Sequence, residues 1–202
     1  MKKLILGATG SIGSSLAKKI VEGGEEVHLV GRDKTSLSQI ASELNSTFTN
    51  CDVLEENFSE KIFSDLGDTP INGLAYCVGS IDLKPIKLTK KSDYMQSFNL
   101  NLISATEAIK ALADNLKKNK GSVVLFSTVA IKQGFPNHAI VASAKVNGLA
   151  FCVGSIDLKP LLTATVENKT IEPLFCFKLS EALLIISIAE IKFKCLKNSK
   201  QL

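Results

Sequence analysis

Three glycines near the start of the chain are spaced for anion chemistry. Gly7-Ala8-Thr9-Gly10-Ser11-Ile12-Gly13 lies between the apolar triplet Leu4-Ile5-Leu6 and a stretch where Ile12, Leu16 and Ile20 recur every four residues. That is a strand, a glycine turn and a helix. Gly7 permits the tight turn, Gly10 lets the backbone approach a pyrophosphate, and Gly13 allows helix and strand to pack closely. Free N–H groups and a partial positive charge at the helix start, at Thr9, Ser11 and Ile12, favour the same anion. A glycine turn without a ligand is the competing reading.

The tip of the second apolar run carries the next clue. Val30-Gly31-Arg32-Asp33 places a glycine where an acid would hold the ribose 2′-hydroxyl of NAD, and an arginine directly after it. Arginine suits a 2′-phosphate, so the pattern favours NADP(H), with NAD as the alternative. Asp33 fits the N-cap of the following helix better than a ribose ligand. A solvated surface charge is the plainer account of Arg32.

These residues require elements to hold them. Strands are expected at Leu4–Leu6, Val27–Val30, Phe48–Cys51, Ile71–Val78 and Ser122–Ser127. Between them come helices marked by Ile12, Leu16 and Ile20, ended by Gly23-Gly24; by Leu37, Ile40, Ala41 and Leu44; and by Phe58, Ile62 and Leu66. A longer one keeps three–four spacing through Phe98, Leu102, Ala105, Ile109, Leu112 and Leu116. Strand and helix in alternation imply an α/β fold, a Rossmann-like doubly wound parallel sheet in a single domain.

Bulk properties narrow the class. The 202 residues carry a net charge of +4, 45% hydrophobic and 22% charged residues, as ordinary globular proteins do. No basic block supports nucleic-acid binding. Five cysteines form no C-x-x-C pair, and His28 and His138 are the only histidines. Neither a metal site nor a disulfide framework is expected, and reduced thiols fit a cytoplasmic protein. The apolar run after Lys2-Lys3 is too short for an export signal, and Ala182 to Ala189 falls far short of a membrane span.

Order fades after about residue 150. Residues 73–86 read GLAYCVGSIDLKPI and residues 148–161 read GLAFCVGSIDLKPL, so Cys77 to Pro85 recurs unchanged as Cys152 to Pro160. Two copies make no solenoid, and a local duplication or rearranged gene is the simplest origin. The second copy follows an expected helix, where Gly148 and Gly154 are poor helix formers. We divide the chain into a dinucleotide-binding region over 1–150 and an atypical C-terminal segment over 151–202. Leu179, Leu183, Ile186 and Glu190 mark an amphipathic terminal helix in that segment, ending in Lys192, Lys194, Lys197 and Lys200.

Over residues 1–150 the sequence resembles the short-chain dehydrogenase/reductase family. The glycine loop has that family's GxxGxxG form. Cys51-Asp52-Val53 is similar to its third-strand motif, which implies that Asp52 and Val53 face the adenine. Gly79 of Tyr76-Cys77-Val78-Gly79 is what remains of the usual Asn-Asn-Ala-Gly. Asn101 matches the helix asparagine of the catalytic tetrad, and Phe126-Ser127-Thr128 matches the end of the fifth strand. The family sets a Tyr-x-x-x-Lys pair about thirteen residues beyond its serine; Lys145 takes the lysine position, Thr128 the serine position, and Val141 stands where the tyrosine belongs.

The resemblance implies an oxidoreductase acting on a carbonyl or hydroxyl of a small molecule, with Lys145 holding the nicotinamide ribose and Thr128 bonding the substrate oxygen. Valine moves no proton. His138, three residues before Val141, would share its helix face, and imidazole is a competent proton donor near neutral pH. An exposed helix-start histidine is the alternative. Asn137 is a candidate N-cap. Family members often pair through the helix that here runs from Tyr94 to Leu116, so a homo-oligomer is expected. A catalytically silent NAD(P)-binding module and a rearranged, non-functional chain are the competing readings, and the sequence names no substrate.

Overall fold

The computed structural model describes residues 1–128, 130–155, 159–161 and 174–178. Strands β1 (Lys2–Leu6), β2 (Glu26–Gly31), β3 (Thr47–Asn50), β4 (Ile71–Tyr76) and β5 (Ser122–Phe126) form a parallel sheet in the order β3-β2-β1-β4-β5. Each expected strand is present, within a residue or two of its expected ends. Helices α1 (Ser11–Glu22), α2 (Lys34–Glu43) and α3 (Phe58–Leu66) connect the first four strands. After β4 come α4 (Lys91–Phe98), a π-helical turn (Asn99–Ile103) and α5 (Ser104–Lys118). Beyond β5, α6 (Ala130–Gln133) and α7 (Ala139–Ser155) follow.

Side-chain alternation in the strands builds two cores. Leu4 and Leu6 face one side of the sheet, with Leu74, Tyr76 and Val123, under Phe58 and Ile62 of α3 and Ile109, Leu112 and Leu116 of α5. Ile5 faces the other side, with Val27, Leu29 and Ala75, under Leu16 and Ile20 of α1 and Leu37 and Ala41 of α2. Both faces of the sheet are covered, as parallel strands require. Asp33 caps α2, accepting from the backbone N–H of Thr35 and Ser36 at 3.1 and 3.2 Å. Gly23 ends α1, and Gly24 follows at φ +79°.

Three expectations need correction. The helix over Phe98–Leu116 is not continuous: the Ser104 N–H bonds to Asn99 O, five residues back, which widens one turn and separates α4 from α5. Asn137 is not an N-cap. It sits at φ +66°, its carbonyl accepts from Lys84 N–H at 3.1 Å, and α7 begins two residues later. The second copy of the repeat does not follow α7 but lies partly inside it, since Gly148 and Cys152–Ser155 are helical. Its end, Lys159–Leu161, is strand β6, which pairs antiparallel with β7 (Leu174–Lys178), itself antiparallel to β5. The sheet is thus parallel over five strands, with an antiparallel edge that the sequence did not announce. The expected terminal helix over Leu179 to Glu190 and the lysines after it lie outside the described residues.

His28 is a buried histidine with a structural explanation. It is 1% exposed on β2, between Thr47 and Thr49 of β3. Lys2 Nζ donates to Thr47 Oγ1, and Thr49 Oγ1 donates to Asp65 Oδ2 at 2.6 Å. The ring fits as one neutral tautomer, Nε2–H donating to Thr49 Oγ1 at 2.9 Å and Nδ1 accepting from Thr47 Oγ1 at 2.8 Å. Burial first, and the Lys2 ammonium second, lower its pKa from 6.5 to about 4, against a smaller opposing pull from Asp65. Because the folded pKa is depressed, the unfolded chain binds the extra proton between those values. Stability is therefore full above pH 6.5 and declines as pH falls toward 4, by roughly 3 kcal/mol from this group. Urea titrations of wild type and His28→Gln at pH 7.5, 5.5 and 4.5 test this: the wild-type midpoint should fall more steeply than the variant's, and parallel declines would refute it.

Candidate active site

The glycine loop is shaped by close approach. Gly7 sits at φ +80°, and a Cβ there would stand 2.9 Å from the Cys77 carbonyl carbon and the Val78 nitrogen. Gly7 and Ala8 N–H both donate to Val30 O, at 2.9 and 3.0 Å, tying the turn to β2. A Cβ on Gly13 would stand 2.3 Å from Gly7 O, so only glycine lets α1 start this close to the turn. No side chain caps α1 and no acid lies in its first turn. Thr9 stands beside Gly31, while Gly10 and Ser11 are exposed and Ile12 is half-buried. These features fit a pyrophosphate group.

Arg32 is 78% exposed at the end of β2, with its guanidinium 3.7 Å from Asp52 Oδ2. Asp52 Oδ1 also accepts from Leu54 N–H at 3.0 Å, so the carboxylate is held at the mouth of the β2–β3 edge. Val53 is different: its side chain is 6% exposed and packs in the core near Phe58, so only its backbone remains to meet a ligand.

Asn101, Gly79 and Lys145 come together although they lie on separate parts of the chain. A Cβ on Gly79 would stand 2.9 Å from Asn101 Oδ1 and 3.2 Å from Lys145 Nζ. The π-helical turn aims Asn101 inward, its Nδ2 donating to Ser97 O at 3.0 Å and lying 3.3 Å from Ser97 Oγ. Its Oδ1 is buried without a hydrogen-bond partner. Lys145 Nζ donates to Phe126 O at 2.9 Å, and burial lowers its pKa below the usual ammonium range. The neighbouring Cys77 thiol is pushed up to about 12 by burial, so it stays neutral and gives Lys145 no counter-charge near pH 7. An unmatched acceptor and a half-buried cation with spare donors at the end of β4 are suited to polar ligand groups such as ribose hydroxyls.

Thr128 lies just past β5, its Oγ1 accepting from Ala130 N–H at 3.3 Å. Ser127, which the spacing to Lys145 passes over in favour of Thr128, has its Oγ buried without a hydrogen-bond partner. His138 directly precedes α7, and its Nδ1–H donates to Pro136 O at 2.8 Å, leaving Nε2 without a hydrogen-bond partner among the described residues. It lines a pocket with Ala142, one turn before Lys145 on the same helix. Val141 is 1% exposed and part of the core. Among the described residues no group of three His, Cys, Asp or Glu side chains could hold a metal, and no helix is long and apolar enough to cross a membrane.

The family model for short chain dehydrogenases matches residues 2–154. The chain belongs to the short-chain dehydrogenase family. It is 26% identical over 147 residues to L-xylulose reductase of Bos taurus, covering 71% of this chain and 59% of that protein. A 3beta-hydroxysteroid dehydrogenase of Mediterraneibacter gnavus is 26% identical over 163 residues, covering 74% and 58%. The chain thus spans less than two thirds of these relatives' length. Among solved structures, serine dehydrogenase from Escherichia coli superposes with a TM-score of 0.70 at 18% identity, over 76% of this chain and 74% of that one. An alcohol dehydrogenase from Thermococcus sibiricus complexed with 5-hydroxy-NADP gives 0.67 at 22%, over 75% and 68%. These last likenesses concern the fold.

The glycine geometry makes a sharp prediction. Gly13→Ala forces a backbone clash and should cost about 2 kcal/mol of stability, along with dinucleotide affinity. Gly10→Ala, whose Cβ would sit 3.3 Å from Gly7 O, should lose affinity with a smaller change in melting temperature. Thermal melts and NADPH titrations of the two variants check the contrast; equal melting shifts would contradict it.

Proposed function

We propose that this chain is an NADP(H)-dependent oxidoreductase that interconverts a carbonyl and an alcohol on a small molecule. The convergence of Asn101 Oδ1 and Lys145 Nζ at Gly79, at the same sheet edge as the glycine loop, carries the reading. Bound NADP(H) would supply or accept the hydride at carbon. Gly7, Thr9, Gly10, Ser11, Ile12 and Gly13 hold the pyrophosphate, Asp52 and the Val53 backbone border the adenine, and Gly79 leaves room beside the nicotinamide. Lys145 binds the ribose. Arg32, exposed and only loosely paired with Asp52, meets the 2′-phosphate. The Thermococcus sibiricus neighbour, solved with 5-hydroxy-NADP, agrees with that preference.

The proton on oxygen needs another group, because Val141 has none to give. Thr128 hydrogen-bonds the substrate oxygen, and His138 Nε2 delivers the proton, its ring held by the Nδ1–H bond to Pro136 O. Asn101, fixed by Ser97, holds the polar end of the site. The exposed Met95 and Ile103 support a homo-oligomer through the helical run from Tyr94 to Leu116.

One observation favours a second reading, an NAD(P)-binding protein without turnover: Val141 packs in the core at the tyrosine position. NADPH and NADH titrations, followed by a carbonyl screen at 340 nm, separate the readings. NADPH should bind at least tenfold more tightly than NADH, and Arg32→Glu should erase the difference while sparing NADH. His138→Asn should lower turnover at least 100-fold with NADPH affinity unchanged. Tight NADPH binding with no turnover on any substrate would establish the silent module. Binding of neither nucleotide would refute both.

A further inference from the structure

A pocket lies beside His138. It measures about 440 Å³ and lies between the loop after β4 and the start of α7. Pro85 and Ile86 form one wall, and Phe135, Ala139 and Ala142 the other. Among the described residues, the polar side chains on its lining are Lys84, Lys87, Asn137 and His138, and none is a carboxylate.

The charges around it are unequal. Lys84 Nζ is paired with Asp93 Oδ1 at 2.7 Å, and Asp93 also accepts from Lys90 N–H, so that lysine is neutralised. Lys87, in the 3₁₀ turn Ile86–Leu88, has no carboxylate partner among the described residues. His138 turns its free Nε2 away from Pro136 O, and α7 begins at the pocket with no acid in its first turn. The Lys87 ammonium and the start of α7 add positive potential to an apolar cleft. Outside the rim, Ile81, Leu83 and Leu88 are 70%, 54% and 65% exposed, which extends the hydrocarbon surface beyond the pocket itself.

We infer that this pocket takes an aliphatic carboxylate, with the anionic head at Lys87 and the hydrocarbon body against Ile86, Phe135 and Ala142. The inference rests on the oxidoreductase reading only in making that ligand the substrate class; the pocket's preference stands without it. A polyhydroxylated molecule fits poorly, because its hydroxyls would leave water for walls with few partners. A cationic amphiphile meets the Lys87 ammonium directly and is repelled.

Calorimetric titration of the full chain with octanoate, 1-octanol and octylammonium, with and without saturating NADPH, tests the inference. Octanoate should bind about tenfold more tightly than either analogue and weaken with added salt. Lys87→Glu should remove that advantage without altering NADPH affinity, whereas Lys117→Glu, exposed near the end of α5, should leave it intact. Equal binding of octanoate and octanol, or an unchanged preference in Lys87→Glu, overturns the assignment and leaves a plain apolar patch. If NADPH fails to bind while octanoate keeps its preference, the oxidoreductase reading falls and the carboxylate site survives. If NADPH binds and octanoate does not, the carboxylate site alone is lost.

Discussion

The end of β1 is where the structure is most tightly constrained. Leu4, Ile5 and Leu6 are fully buried between β2 and β4, and the next residue must turn in almost no space. Gly7 does so against the backbone of Cys77 and Val78, and Gly13 brings α1 back against Gly7 O. One pair of backbone approaches thereby sets three things: the distance between β1 and β4, the direction of α1, and the exposure of its first N–H groups. A side chain at Gly7 or Gly13 would push these elements apart. The anion site and the packing of the sheet rest on the same contacts.

A second constraint works through Tyr76. Its ring is buried at the end of β4, and its hydroxyl donates to Leu100 O at 2.7 Å, inside the π-helical turn. Ser104 Oγ donates to Asn99 O at 2.8 Å in the same turn. A widened turn leaves carbonyls displaced from the usual ladder, and these two hydroxyls satisfy them. The turn thus has side-chain partners on the sheet and on α5, which hold Asn101 inward. Sequence periodicity could not show this, because one extra residue in a turn barely disturbs a three–four pattern. The glycine loop, the five parallel strands and the Asp33 cap were legible because each follows from local spacing and residue type.

The repeated segment shows the limit of local reading from the other side. Gly73 to Tyr76 is strand and Cys77 to Pro85 its following loop, yet Gly148 to Phe151 and Cys152 to Ser155, nearly the same residues, are helix. What differs is the surrounding chain. The first copy falls between β1 and β5, where Leu74 and Tyr76 have a core to enter. The second continues from Ile140, Val141 and Ala144, which are already buried on a helix, so extending that helix outweighs the cost of its two glycines. Tertiary position decided both outcomes, and only the first could be inferred from the pattern. The antiparallel β6–β7 edge depends on pairings across tens of residues and left no local trace.

The proton problem follows from the same helix. Lys145 reaches Phe126 O and the space at Gly79 because Ile140, Val141 and Ala144 anchor α7 in the core. Valine at position 141 contributes to that anchoring and leaves the cation without a neighbouring hydroxyl of the tyrosine kind. Asn101 does not replace it, because an asparagine amide does not titrate. His138 is placed at the start of this helix with one nitrogen committed and the other free. On the proposed reading, the acid–base group sits about one turn along α7 from Val141, toward the pocket that Lys87 and Phe135 line. Substrate selection and proton delivery would then depend on the same few residues between the β4 loop and α7.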